Sequence, residues 1–265
     1  MSQKPHVSYS QLSMLFRCGE QYRRRYVEKD IRPPGIALHI GSGVDEGAND
    51  NFRQKIETHK DLPDHHIVES AVTAYEESIE RSGLEVGPGK SAKDEIGEGK
   101  DQTVFLATTL ASQVVGDYQP IAVQARSLIE LPEATHDLLG YTDLRDDKGR
   151  VVDLKTASRV VKSAADLSLQ LTAYYTAYIV DMGHEPSELR LDILKKKGKS
   201  SPKERRVVLS TQRTRRDVGV LASRINAALN VIKTGAFAPC NQDDWVCSKR
   251  WCGYADDCPY WGGQE

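Results

Sequence analysis

Leu12, Leu15, Tyr22 and Tyr26 recur at roughly helical spacing behind Ser8 and Ser10, either of which can cap a helix start, so residues 8–29 read as a helix. Pro33-Pro34-Gly35 interrupts the chain. Further apolar periodicity predicts helices from Ser42 to about Glu57 and from Asp64 to Arg81, the second with Ile67, Ala71, Ala74 and Ile79 on its inner side. Residues 83–100 carry Gly83, Gly87, Pro88, Gly89, Gly97 and Gly99 among charges and read as a mobile loop, after which helix resumes from about Gln102 to Tyr118. The period then changes: Val123–Leu131 and His136–Asp146 read as strands, Asp146-Asp147-Lys148-Gly149 as a hairpin turn, and Val151–Thr156 as the next strand. Leu167, Leu171, Tyr174 and Tyr178 stripe a helix over Ser163–Met182. Strands follow at about 188–196 and 204–211, then a helix at about 214–234 and, from Phe237, an irregular tail.

This order predicts an α/β chain: one mixed β-sheet flanked by helices, with an N-terminal helical arm and a cysteine-rich C-terminal tail. The expected division is a helical region over 1–120, a sheet-bearing core over 121–236 and the tail over 237–265. At 265 residues the chain can bury a core without covalent help. No apolar run approaches the roughly 20 residues that span a bilayer, and the first residues lack the apolar stretch of a signal peptide, so the expected setting is cytoplasmic, without a membrane.

A net charge of −2 announces no nucleic-acid partner, but the basic residues are grouped. Arg23-Arg24-Arg25, Lys195-Lys196-Lys197-Gly198-Lys199, Lys203-Glu204-Arg205-Arg206 and Arg213-Thr214-Arg215-Arg216 could each hold phosphates or be plain solvated faces. Of these, Arg23, Arg24, Lys195, Lys196, Lys197, Arg215 and Arg216 are the candidate DNA contacts. Five cysteines, an odd number in a chain expected in a reducing compartment, speak against a disulfide framework, and four of them fall in the last 26 residues.

The sharpest constellation is Gly140-Tyr141-Thr142-Asp143 followed by Asp153-Leu154-Lys155. Strand alternation puts Asp153 and Lys155 on one face, and Asp143, on the preceding hairpin strand, can join them. Glu130, at the end of the first strand, is a further candidate acid. Gathered carboxylates need positive charge, and hard oxygen ligands select Mg²⁺ or Mn²⁺. Such an ion would activate water against a phosphodiester, with Lys155 positioning or deprotonating that water or steadying charge on the phosphate. Asp-x-Lys alone is common; its neighbours give it weight.

Gly140–Asp143, Val151–Thr156 and Gln170-Leu171-Thr172-Ala173-Tyr174 resemble the motifs of the RecB-like branch of the PD-(D/E)XK nucleases, which includes phage recombination exonucleases and CRISPR-associated nucleases. The opening Ser8-Tyr9-Ser10-Gln11-Leu12, with Arg17-Cys18 and Tyr22, is similar to that branch's first helix. The resemblance implies a restriction-endonuclease-like fold, with Asp143, Asp153 and the Leu154 carbonyl as metal ligands and Lys155 as the catalytic lysine. It also implies that Gln170 and Tyr174, one helical turn apart, contact substrate or orient the lysine; the alternative for Tyr174 is a core aromatic. One departure stands out: a histidine ligand is usual four residues after a glycine on an early helix, and here Gly41 leads to Asp45. Asp45 is expected as a ligand or just behind one; the alternative is a solvated residue and weakened activity.

Cys247, Cys252 and Cys258 are spaced closely enough to wrap one soft metal centre. The resemblance implies a [4Fe-4S] cluster on Cys18, Cys247, Cys252 and Cys258, joining the tail to the first helix. Zinc suits the same four thiolates, and Cys240 is either a free thiol or a substitute for Cys18. The expected function is a Mg²⁺- or Mn²⁺-dependent DNA exonuclease of bacterial or phage recombination or repair, working with a single-strand annealing or other recombination protein. The rival is a DNA-binding or assembly protein that keeps the fold and has lost efficient cleavage.

Overall fold

A computed structural model describes residues 4–131, 135–249 and 251–261; Arg250 and residues 262–265 of the expected tail lie outside the described residues. The chain opens with β1 (His6–Ser8), α1 (Tyr9–Arg17) and α2 (Gly19–Tyr22), which runs on as a π-helical turn over Arg23–Val27. α3 (Ile36–Thr58), α4 (Asp64–Ser82) and α5 (Ala92–Gln113) follow, then β2 (Pro120–Ile129), β3 (Asp137–Asp146) and β4 (Arg150–Ala157). α6 (Ala164–Leu167), α7 (Leu169–Met182), β5 (Glu188–Lys195), β6 (Arg206–Thr211) and α8 (Arg215–Thr234) complete the regular elements.

The six strands form one mixed sheet in the order β1-β3-β4-β5-β6, with β2 also paired to β3. β2 runs antiparallel to β3 along most of its length. The other edge of β3 is shared: β1 lies parallel to Asp137–Leu139, and β4 pairs antiparallel only at Leu144–Val152 and Arg145–Val151. Between them, residues 140–143 of β3 have no strand partner on that edge, and the sheet opens there. β4 then continues parallel to β5 through Ala157–Lys195.

Helices cover both faces. Ile40, Val44, Phe52, Tyr75, Leu106 and Leu110 of α3–α5 pack with Leu144, Val152 and Leu194 of the sheet. On the opposite face Leu12, Ala173, Ala177, Leu221 and Ile225 of α1, α7 and α8 pack with Ile129 and Leu138, and Leu171, Tyr174 and Tyr178 pack with Val151 and Leu191. Burial of these apolar surfaces, at about 25 cal/mol per Å², is the main driving force for the fold.

Four boundaries differ from the sequence reading. The expected helix 8–29 breaks at Cys18, which is extended (φ −158°, ψ 113°), because the tail backbone docks there: the Gly19 N–H donates to the Ala238 carbonyl at 2.8 Å. A Cβ on Gly19 would stand 2.5 Å from that oxygen, so glycine permits the contact. The expected loop 83–100 ends at Ser91, whose side chain caps α5 by accepting the Asp94 N–H. Gly99 is therefore a helix-packing glycine, pressed against Ile36 and the Tyr75 hydroxyl. α3 starts at Ile36, six residues before the expected Ser42. The expected helix 163–182 restarts at Ser168, which caps α7; the buried Arg213 donates to the carbonyls of Ala165 and Ser168 at 2.6 and 2.9 Å and holds the break. Among the described residues, no helix is long and apolar enough to cross a membrane.

Candidate active site

The opening between β3 and β4 is where the carboxylates meet. Leu154 has no β3 partner at this point, and its N–H donates instead to Asp143 Oδ2 at 3.1 Å. Asp143 Oδ1 accepts the Tyr174 hydroxyl at 3.3 Å, and Gln170 Nε2 donates to the same hydroxyl at 2.8 Å. Both come from the first turns of α7, one turn apart. Asp153 is 1% exposed; its Oδ1 accepts from Lys155 Nζ at 2.7 Å, while its Oδ2 is buried without a hydrogen-bond partner. The Asp143 carboxylate is a close neighbour of Asp153 and raises its carboxyl further.

A cleft of about 300 Å³ opens onto this group, lined by Gly41, Ser42 and Asp45 of α3 together with Asp143, Leu154, Lys155 and Thr156. Asp45 thus enters from the helix opposite. Burial, then the neighbouring Asp143 charge, pushes its carboxyl up to about 6. Burial pushes Asp153 up to about 8, against the opposing pull of Lys155. Burial pulls the Lys155 ammonium down, but the charges of Asp153, Asp143 and Asp45 outweigh it and hold it above the usual lysine value. Burial, and then Asp143, keep Tyr174 protonated. Three carboxyls face a single ammonium, and the buried oxygen of Asp153 without a partner is where further positive charge would be taken up.

A hard divalent cation fits this donor set: three carboxylates from three elements and the adjoining Leu154 carbonyl, with Lys155 satisfying only one oxygen of Asp153. The described residues contain no three His, Cys, Asp or Glu side chains already closed around one point, so carboxylate movement would accompany loading. His39, the nearest histidine to Asp45 in the chain, is fully buried against Ser78 of α4 (2.8 Å) and belongs to the core.

Several expected site residues lie elsewhere. Ile129 pairs with Leu138, which puts Glu130 at the far end of β3, about 20 Å along the strand from Asp143. Glu130 is exposed there and is not part of the carboxylate group. Arg23 is occupied by Glu20 and Glu28, and Arg24 by Glu20 and Asp257, so these two guanidinium groups serve internal ion pairs instead of facing a ligand. Arg24 and Arg32 also flank the Tyr254 ring, at 5.4 and 5.5 Å, so this basic run latches the tail to the arm. Thr211 pairs with Leu189 whereas Lys155 pairs with Ile193, so Arg215 and Arg216 start α8 from the end of the sheet opposite the cleft. Lys195, Lys196 and Lys197 do lie at the cleft end: Lys195 pairs with Ala157, and the Lys196 N–H donates to the Ala157 carbonyl. Burial lowers the Lys196 ammonium.

Tyr9, Asn49 and Arg224 were not expected here. The Tyr9 hydroxyl lies near the Gln170 backbone and Asp153, with Arg224 of α8 close by; Asn49, next to Asp45, donates to Glu46 at 3.3 Å and lowers the Asp45 carboxyl. Tyr9 stood inside the opening motif, but no sequence pattern distinguishes the other two.

All five cysteines carry free thiols. The Cys240 N–H donates to the buried Cys18 sulfur at 3.4 Å, and its thiol adjoins those of Cys18 and Cys247. Burial, then Cys18, pushes that thiol up to about 12. Cys252 is raised by burial and neighbours Cys18 and Cys258. Thiols from opposite ends of the chain are thus neighbours in pairs, Cys240 with Cys18 and Cys247 and Cys252 with Cys18 and Cys258, while among the described residues no three of them close around one point.

A mixed sheet opened beside an Asp…Asp-x-Lys set, with a Gln-x-x-x-Tyr helix against it, defines a nuclease-type hydrolase. The model of the PD-(D/E)XK nuclease superfamily matches residues 6–259, and the chain belongs to that superfamily. A solved structure of a candidate exonuclease from Eubacterium rectale shares the fold, with a TM-score of 0.54 and 13% identity over 92% of this chain and 87% of its own. A second solved structure, of SSO0001, covers 98% of this chain and 88% of its own at 10% identity with a TM-score of 0.41. No curated protein matches.

Proposed function

We propose that the protein is a Mg²⁺- or Mn²⁺-dependent deoxyribonuclease of the RecB-like branch, acting as an exonuclease in bacterial or phage recombination or repair. The observation that carries this reading is the buried, unpartnered oxygen of Asp153 beside Asp143 and Lys155, which line a cleft together with Asp45. Asp143, Asp153, Asp45 and the Leu154 carbonyl would hold the cation. Bound there, it supplies the charge that polarises a phosphodiester and brings water towards hydroxide near neutral pH. Tyr174 and Gln170 fix the Asp143 carboxylate. Lys155, paired with Asp153 at 2.7 Å, is the cation that would be free to meet the substrate phosphate if Asp153 were given another counter-charge. Lys195–Lys197 extend the positive rim along the track of a DNA strand.

Cys18, Cys247, Cys252 and Cys258 would ligate a [4Fe-4S] cluster, with zinc as the alternative and Cys240 adjoining as a fifth thiol. The ionic latch between the 23–32 segment and the tail supports this closure. A reducing, cytoplasmic setting suits five free thiols. Protein purified without oxygen is expected to be brown, absorbing at about 400 nm.

The direct test incubates purified protein with end-labelled single- and double-stranded DNA under Mg²⁺, Mn²⁺ or chelator, alongside Asp153→Ala and Lys155→Ala. Cation-dependent shortening from the ends, lost in both variants, is expected. Failure of every cation to support cleavage would leave the second reading, a DNA-binding or assembly protein, for which Asp45 in the usual histidine position is the favouring observation.

A further inference from the structure

Gln124 stands in the left-handed region of backbone space, φ +49°, in the interior of β2. A residue with a side chain rarely adopts this conformation within a strand, and such outliers persist where surrounding structure enforces them. Val123 pairs with Leu144 and Ala125 with Thr142, so the residue facing Gln124 is Asp143.

Both strands change face at this pair. Val123 and Leu144 pack into the core under α3–α5. Four and six residues further on, where strict alternation would keep the same face, Ser127 bonds Asp181 of α7 and Ile129 packs with α1, α7 and α8. On β3, Leu144 and Leu138 are likewise six apart and lie on opposite faces. The left-handed turn at Gln124 therefore accompanies the phase break that releases Asp143 from the alternation, letting its carboxylate reach the opening beside Leu154.

The Gln124 side chain continues the link. Its Nε2 donates to Asn49 Oδ1 at 3.4 Å. Asn49 is 4% exposed and sits one helical turn beyond Asp45 on α3. Because its oxygen accepts from Gln124, its amide nitrogen is left as the donor and gives to Glu46 at 3.3 Å, with the Asp45 carboxyl alongside and lowered by it. We propose that Gln124 and Asn49 are positioning residues that hold Asp143 on β3 and Asp45 on α3 at the separation one divalent cation requires. The proposal rests on the metal-dependent reading of the same site and adds residues that do not touch the ion.

The test measures Mn²⁺ binding to the full chain by titration calorimetry and by the electron paramagnetic resonance of free Mn²⁺. The proteins are the parent, Asn49→Ala, Gln124→Gly, Asp45→Ala and Asn49→Ala/Asp45→Ala. Glycine at 124 keeps the left-handed backbone and removes the side chain with its amide. Asn49→Ala and Gln124→Gly are each expected to weaken Mn²⁺ binding by about tenfold or more. In the Asp45→Ala background, Asn49→Ala should add little, since its route to the ion is already gone. Unchanged Mn²⁺ affinity in both single variants, with the parent binding Mn²⁺, overturns this inference alone; so does a full Asn49→Ala effect persisting without Asp45. A merely structural role would lower the melting temperature and leave the affinity in place. A parent that binds no Mn²⁺ overturns both the inference and the metal-dependent reading.

Discussion

Asp143 Oδ2 accepts the backbone N–H of Leu154 at 3.1 Å, across the point where β3 and β4 part. This single contact does two things. It satisfies a backbone donor that strand separation has orphaned, and it aims the second Asp143 oxygen at Tyr174 and the cleft. The site is thus built from a deliberate gap in a hydrogen-bond ladder, closed by a side chain of the site itself.

Replacing Asp153 by Asn keeps the shape and removes the buried charge. Cleavage should fall by about 10³-fold, while the metal-free protein at pH 8 should melt roughly 5 °C higher because a desolvated carboxylate is gone. Calorimetric melting and a gel assay on the same preparation check both halves. A lower melting temperature would mean that the Lys155 pair contributes more than burial costs.

Stability should depend on pH through the same carboxyls. Asp45 and Asp153 are raised to about 6 and about 8 from 3.8, so the folded chain keeps protons that the unfolded chain has released. Their contribution is complete below about pH 4 and is lost as pH rises through 6 and then 8. Mg²⁺ or Mn²⁺ should therefore raise the melting temperature more at pH 8 than at pH 5, and loading should release protons. Equal stabilisation at both pH values would contradict the assignment of these acids to the ion.

Tyr174→Phe leaves the buried ring and deletes the hydroxyl between Gln170 and Asp143. Turnover should drop roughly 10–100-fold, as for loss of a group orienting a ligand, with little change in melting. Comparable melting with parental turnover would reduce Tyr174 to a core aromatic.

Gly19→Ala places a methyl against the Ala238 carbonyl, backbone against backbone, where nothing flexible can yield. Destabilisation of about 1–3 kcal/mol is expected, and the tail should become more susceptible to protease. Absorbance from any cluster should fall in parallel. An unaffected variant would show that the tail is not docked at Gly19.

Lys196 and Arg215 should separate in DNA binding. Lys196→Ala, at the cleft end of the sheet, should weaken binding and reduce the slope of log affinity against log salt by about one, while Arg215→Ala, at the other end, should leave the slope unchanged. The reverse result would move the DNA track away from the cleft.

The order of elements was legible in the sequence because burial on one face imposes a period on every helix and strand, and burial does not depend on knowing the partner. Asp143, Asp153, Lys155, Gln170 and Tyr174 were legible too, since local spacing along a strand or helix decides which of them share a side. Boundaries at Cys18, Ser91 and Ser168 were not: each depends on a cap or a docking segment, and for Cys18 and Ser168 the partner lies far along the chain.

Composition also left the basic runs ambiguous, and only tertiary structure decided among them. Arg23 and Arg24 meet carboxylates that fold onto them, Arg215 and Arg216 stand at the wrong end of the sheet, and Lys195–Lys197 lie beside the cleft. Glu130 was a candidate acid from its place at the end of the first strand, and register removes it from Asp143. Asp45 took the opposite course, brought to the site by the packing of α3 across the opening. The sequence by itself determined which residues can do chemistry and which way each local segment points. The convergence of Asp45 and Asp143 on one cleft, with Asp153 buried next to Asp143, is a long-range property, fixed by where strands part and which helix covers the gap, and no local pattern encodes it.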